Sequence, residues 1–381
     1  LNFHVFTLVW GTPFVRKYVE LALPFQMMPG NLPALAQDHR VIYHLYTDRD
    51  SRPAFDPEIN ALEEIVEVQF HELEELTDGT RHLLEAAAAL KAPEYKYFIQ
   101  KFCVRDCAKR AADEDALVLL DSNFVVADGG LGRLAGFWDQ GVRGVMVNVL
   151  RNTEAAFVDK WWLNSASVGP RDLFDHARDH FHPLHDSYFI DSSAPTSYPI
   201  QVCWPVDGGQ VYGRSFLPHP LMIPVRPAIQ AYQSTMDYDL TLRVCDDDEI
   251  TVISDSDEIL VCKFSDPGHQ SAFEPGQPLT PENLALFILT STHNRHRRFA
   301  AVGNRFRGSH DSGNWDQIEP QAENFIEMAY QEVDRIISLG PQLDARFLMY
   351  IKSYLGPIED YMSPEMEPAE LRNLTGENTS P

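Results

Sequence analysis

Cysteine is scarce in this chain and never paired. Its 381 residues hold five, Cys103, Cys107, Cys203, Cys245 and Cys262, with no C-x-x-C spacing. That excludes a zinc knuckle and a disulfide framework, and the five read as small core residues in a reducing compartment. Basic residues are also short, with 31 Lys plus Arg against 56 Asp plus Glu and a net charge of -25. A field of that sign repels phosphate backbones and anionic headgroups, so nucleic acid and membrane surfaces drop out as expected partners. An anionic small molecule stays open, because a local group of cations can oppose the global field. No apolar run approaches the ~18 residues of a transmembrane helix, and no signal-peptide pattern is present, so a soluble cytoplasmic protein is the expectation. The chain also lacks G-x-S-x-G and H-E-x-x-H, and the glycines of "ADGGLGRL" match neither G-x-G-x-x-G nor G-x-x-x-x-G-K-[ST].

What is present is apolar and patterned. Hydrophobic residues make up 44% and aromatics 11%, enough for one large α/β domain or two unequal ones. "FHVFTLVWG" (3–11), "HRVIYHLYTD" (39–48) and "EEIVEVQFHEL" (63–73) read as strands, with a helix after the first. A helical stretch over 79–112, broken at Pro93, leads to the strand "DALVLLD". Such alternation predicts a doubly wound, mostly parallel sheet with helices on both faces. "VRGVMVNVL" reads as one further strand, and proline-rich 183–228 as a loop wall over a site. The block 238–264 reads as a β-hairpin, Thr280 as an N-cap before Pro281, and the C-terminal third as helical. The resulting division is 1–228 for a nucleotide-binding domain, 229–372 for an acceptor-side elaboration and 373–381 for a tail.

Ligands of such sheets bind beyond the carboxyl ends of the strands, near a switch in strand order. Two predicted strand ends qualify, residues 7–11 and 121–123. In "LLDSNFVVADGGLGRL" an aliphatic strand ends in Asp121, Ser122 and Asn123, and the oxygens of Asp121 and Asn123 are suited to a hard divalent cation beside a diphosphate.

This stretch resembles the metal-binding Asp-x-Asp of GT-A fold glycosyltransferases, the family 8 type in particular. In layout the resemblance covers residues 1–140; as motif it is confined to the stretch around Asp121. It implies that Thr7, Leu8, Val9, Trp10 and Gly11 hold the nucleoside. The helix "YKYFIQKFCVRDCAKRA" then brings Lys101 and Arg105 to the donor, with Ser122 among the donor contacts. Asp121, Asn123 and a later histidine, His219 in "RSFLPHPLMIP", are the implied ligands of Mn²⁺ or Mg²⁺. The implied reaction is sugar transfer, with retained configuration, from a nucleotide-sugar donor, a UDP-sugar being expected, to a carbohydrate, lipid-linked or protein acceptor. Asn123 departs from the pattern: a neutral amide removes one charge and weakens hard-cation binding.

Other candidates follow from the residues themselves. Lys101 and Arg105 share a helix face at i,i+4 and suit a diphosphate leaving group. "ITVISDSDEIL" carries an intact Asp255-Ser256-Asp257, late enough in the chain to line the acceptor side, where either carboxylate is a candidate general base. "HNRHRRF" (293–299) reads as a cluster paired with the acidic excess, 303–316 as a lid, and His176, His180, His182 and His185 as solvated or core histidines. Two alternatives remain at this stage: a nucleotidyltransferase of related fold, and a non-catalytic nucleotide-sugar or protein-binding module, which Asn123 favours.

Overall fold

The computed structural model describes residues 1–76, 95–232, 235–266, 276–310 and 313–361. Its first strand, β1 (Asn2–Leu8), alternates faces as a doubly covered strand must. Phe3 and Val5 enter one core; Phe6 enters another on the opposite side. Helices α1 (Thr12–Lys17) and α2 (Leu32–Asp38) lie on the Phe3 face, with Val15, Leu32 and Leu35 buried there. Strand β2 (Arg40–Thr47), helix α3 (Glu58–Glu63) and strand β3 (Glu67–Glu72) follow. Helix α4 (Tyr95–Arg110) covers the Phe6 face through Ile99, Cys103, Val104 and Cys107. After it, β4 (Ala116–Leu119) returns beside β1.

The chain continues through β5 (Phe124–Val126), α5 (Arg133–Asp139), β6 (Gly144–Val147), β7 (Val149–Thr153) and α6 (Pro170–Ala177). Then come β8 (Gln201–Val206), β9 (Gln210–Ser215), β10 (His219–Pro224), β11 (Ile250–Val252) and β12 (Val261–Ser265). The last elements are α7 (Pro281–Ser291), β13 (Gly303–Phe306), α8 (Trp315–Leu339) and α9 (Ala345–Leu355).

The central sheet has the order β11-β6-β10-β4-β1-β2-β3, and β10 alone runs against the other strands. This is the doubly wound, mostly parallel layout expected from the alternation of strand and helix. Two smaller sheets flank it, β5-β12-β7 and β13-β9-β8. Helix α8 packs its apolar stripe, including Ile326, Ala329, Tyr330 and Val333, into a core shared with Trp204 and Tyr212 of the last sheet.

Several local expectations change. "VRGVMVNVL" is two strands in two sheets, broken at Asn148, whose buried amide has no hydrogen-bond partner among the described residues. β11 and β12 do not pair with each other: β11 extends the central sheet beside β6, whereas β12 lies between β5 and β7. The antiparallel hairpin is β8–β9, which turns at Gly208 and Gly209 with φ of 77° and 73°. The stretch read as a lid begins as β13, paired with β9. Thr280 caps α7, accepting from the Asn283 amide at 3.3 Å, with Pro281 at the first helical position as expected. The first part of the 79–112 helix, to residue 94, and the tail 373–381 lie outside the described residues. All five cysteines are buried and unpaired. Among the described residues, no helix is long and apolar enough to cross a membrane.

Candidate active site

Strand order reverses at β1, whose two neighbours are β2 and β4, and the crevice this creates opens at the end of β4. The Leu120 amide still donates to the Phe6 carbonyl at 3.0 Å, and the Asp121 carbonyl then accepts from the Phe124 amide at 2.9 Å. Residues 121–124 therefore form a tight turn into β5, with Ser122 half-buried at its second position. The Asp121 carboxylate takes the Lys263 ammonium at 2.7 Å and the Gln100 amide at 3.2 Å, with a fifth of its side chain exposed. Burial pushes this carboxyl upward, but the charges of Lys263 and His219 and the Lys263 hydrogen bond outweigh it and hold the group at about 2.

His219 opens β10 and is almost wholly buried. Its Nδ1 lies 2.9 Å from Asp237 Oδ1 and its Nε2 lies 3.1 Å from the Leu119 carbonyl. Both partners can only accept, so both ring nitrogens donate and the ring is an imidazolium. Burial works against that charge, but the Asp237 hydrogen bond, the Asp237 and Asp121 charges and the Leu119 carbonyl raise its pKa. Asn123 donates its side-chain amide to the Phe264 carbonyl at 2.8 Å, and its main-chain carbonyl accepts from the Phe264 amide at 3.1 Å. It fastens the turn to β12.

These bonds decide the fit of the expected metal. Asp121 is neutralised by an ammonium, and His219 has no free lone pair. The Asn123 side chain supports a strand. Asp121, Asn123 and His219 thus do not form a ligand set for Mn²⁺ or Mg²⁺, and among the described residues no group of three or more His, Cys, Asp or Glu could hold a metal ion. In its place the site gathers cations. A cavity of about 60 Å³ beside Asp121 is lined by Phe124, Arg151, Tyr188, Gln201, His219 and Lys263, among others. Burial pushes the Tyr188 hydroxyl up to about 12, so it stays protonated at neutral pH.

The remaining predicted donor contacts divide by face. Thr7 bonds the Tyr43 hydroxyl at 2.8 Å inside a chain that continues to Tyr18 and Gln26, and Val9 is buried in the same core. Leu8 and Trp10 point the other way, half-buried on the α4 side. Gly11 takes φ of 82° and donates its amide to Asp48 at 2.9 Å. Lys101 is buried with its ammonium 4.9 Å from the Phe98 ring centre, and Arg105 donates to the Tyr232 carbonyl at 2.5 Å. The α4 residues beside Asp121 are instead Gln100, in contact, and Lys96, whose charge helps keep the carboxylate ionised. Their i,i+4 spacing, five residues earlier along the helix, was the available signal. Lys263 and Arg151 had none, being single cations on strands.

Asp255 and Asp257 follow β11, at the same end of the sheet as Asp121 but three strand spacings away, ~14 Å. Asp255 accepts from Arg307 at 2.7 Å, and Asp257 takes Arg171 through two nitrogens at 2.9 and 2.7 Å. The basic run is paired as expected, Arg295 and Arg298 with Asp247 and Arg297 with Asp334. Of the four clustered histidines, His185 is fully buried, and burial pushes its pKa down to about 3.

No protein-family model matches the chain, and no curated protein matches it. Among solved structures, mouse xyloside xylosyltransferase 1 in its apo form matches at 16% identity and a TM-score of 0.28, over 39% of this chain and 53% of that one. S. aureus TarS matches at 11% identity and 0.30, over 76% and 38%. The mannosyltransferase PcManGT from Pyrobaculum calidifontis, in complex with GDP-Man and Mn²⁺, matches at 11% and 0.31, over 99% and 88%. The chain thus spans about half the length of the first and under two fifths of the second. At these TM-scores none of the likenesses extends to the whole architecture.

Proposed function

We propose that the protein transfers a sugar from a nucleotide-diphosphate donor, a UDP-sugar being the expected one, to a carbohydrate, lipid-linked or protein acceptor. One observation carries this reading. At the strand-order reversal of the sheet, the end of β4 holds an ionised carboxylate among the cations Lys263 and His219, with Arg151 beside them on the wall of the same cavity. In an acidic chain such a gathering suits an anionic ligand, and the sheet's crevice is where α/β folds hold nucleotides.

In this reading Leu8 and Trp10 offer the apolar surface for the nucleoside, and the main chain at Gly11 ends the strand beneath it. Departure of a nucleoside diphosphate builds negative charge on its phosphate oxygens, and pre-placed cations stabilise that charge without reorganising. The cations of this chain take that part, and no step passes through a metal. Asp255 and Asp257 stand on the acceptor side of the crevice.

Melting curves with a panel of nucleoside diphosphates and nucleotide sugars test the reading, followed by product analysis. A ligand at 100 times its Kd adds about 2.7 kcal/mol. Release of free nucleoside diphosphate on turnover marks transfer, whereas pyrophosphate marks nucleotidyl chemistry. A second reading, a non-catalytic nucleotide-sugar-binding module, is favoured by the ion pairs that hold Asp255 to Arg307 and Asp257 to Arg171. That module would shift in melting but release no product on any acceptor.

A further inference from the structure

Arg151 and Lys263 are register partners in the parallel ladder of β7 and β12. Neighbouring strands lie ~4.8 Å apart, so two cations are held side by side on one wall of the cavity, an arrangement that destabilises a sheet unless an anion answers both. Lys263 has its anion, Asp121 at 2.7 Å. Arg151 has none: its guanidinium makes no hydrogen bond or ion pair among the described residues, although it is half-buried in a chain with 56 acidic residues against 31 basic ones. Elsewhere arginines in comparable positions are paired, Arg226 with Glu114 and Glu249, Arg171 with Asp257 and Arg307 with Asp255. Around Arg151 the cavity adds the His219 imidazolium, the Gln201 amide and the protonated Tyr188 hydroxyl, all able to donate, and one carboxylate, Asp237, whose charge the His219 ring answers at 2.9 Å.

We infer that this wall binds the diphosphate of the donor through the Arg151 fork, backed by Lys263 and His219, and that the protein needs no divalent cation to do so. The inference rests on the transferase reading and specifies its chemistry. A metal at Asp121 would have to displace the Lys263 ammonium and then sit beside three positive groups, and the second carboxylate on the cavity wall, Asp237, is already bonded to His219. An anion needs neither change. It meets Arg151 unpaired, and a guanidinium presents the planar pair of donors that two phosphate oxygens match. Lys263 is the fixed partner and Arg151 the vacant one.

Isothermal titration calorimetry on the full chain with UDP, GDP and inorganic pyrophosphate, each in EDTA and in Mn²⁺, tests this. One nucleoside diphosphate is expected to bind with the same Kd, within about twofold, in both conditions, and more tightly than pyrophosphate. Arg151→Gln should weaken it at least about tenfold in both. Without ligand, Arg151→Gln should melt at or above the native temperature, because a repulsion is removed. If that variant melts lower, Arg151→Lys, which keeps the charge and loses the fork, should still weaken binding several-fold. Binding that requires Mn²⁺, or an affinity that neither substitution moves, overturns the inference and leaves the transferase reading standing. Pyrophosphate binding as tightly as any nucleoside diphosphate makes the wall a site for a free polyphosphate and overturns the donor assignment. Absence of binding by every nucleoside diphosphate overturns both.

Discussion

Lys263 grips Asp121 across 2.7 Å and so ties the end of β4 to β12, 142 residues later in the chain. Both side chains are mostly buried, at 25% and 20% exposed. Asp121→Ala strands an ammonium next to Arg151, and losing one partner of a buried pair costs about 3–5 kcal/mol. The double variant Asp121→Ala with Lys263→Met should recover most of that loss in urea unfolding. The carboxyl is depressed from 3.8 to about 2, so its contribution is complete above pH 3.8 and is lost as pH falls through about 2.

The His219 imidazolium titrates in the opposite sense. Its pKa is raised, so the stability it brings is present below its ordinary 6.5 and is lost as pH rises through the raised value. At pH 7 nitrogen NMR of the ring should show both nitrogens protonated. Asp237→Asn removes the bond that does most to hold the charge against burial, and should leave a neutral ring at the same pH.

Three histidines on the far side of β1 form a ladder with a fixed direction. Asp115 accepts from His4 Nε2 at 3.3 Å, His4 Nδ1 from His44 at 2.9 Å, and His44 Nδ1 from His71 at 2.9 Å. A second proton on His4 or His44 sets donor against donor. Burial lowers all three, His44 to about 3 and His71 to about 4. A lowered base stabilises the fold above its ordinary 6.5, and the contribution drains away as pH falls toward those values. Between pH 7 and 4 the unfolding free energy should drop by several kcal/mol, and His44→Phe should flatten that slope.

Asp255 and Asp257 follow β11 and are held by Arg307 and Arg171. The Arg171 pair is two-fifths exposed on each side, so Asp257→Asn should cost under about 1 kcal/mol. Asp255→Asn should cost more. Its carboxylate also accepts the Asp257 amide, and Arg307 is 12% exposed. With both carboxylates ion-paired to a guanidinium, transfer should persist in each variant; a hundredfold fall in kcat without a fall in melting temperature would make that residue the base.

The sequence by itself determined the alternating strands and helices of the first third, the end of β4 at Asp121, the burial of the cysteines and the cap at Thr280. Each is a local matter: hydrophobic period, a polar residue closing an apolar run, or a side chain that bonds its own turn. The residues around Asp121 were decided elsewhere. Asp121 and Asn123 look the same in sequence whether they face a cation or a lysine, and only the ladder that sets β12 beside β5 and β7 delivers Lys263 and Arg151 to them. The break at Asn148, which sends β7 out of the central sheet, had no periodic signature either. Charge neutralisation depends on distances through space. A chain with few basic residues states how rare its cations are, whereas the tertiary structure fixes which of them stand together.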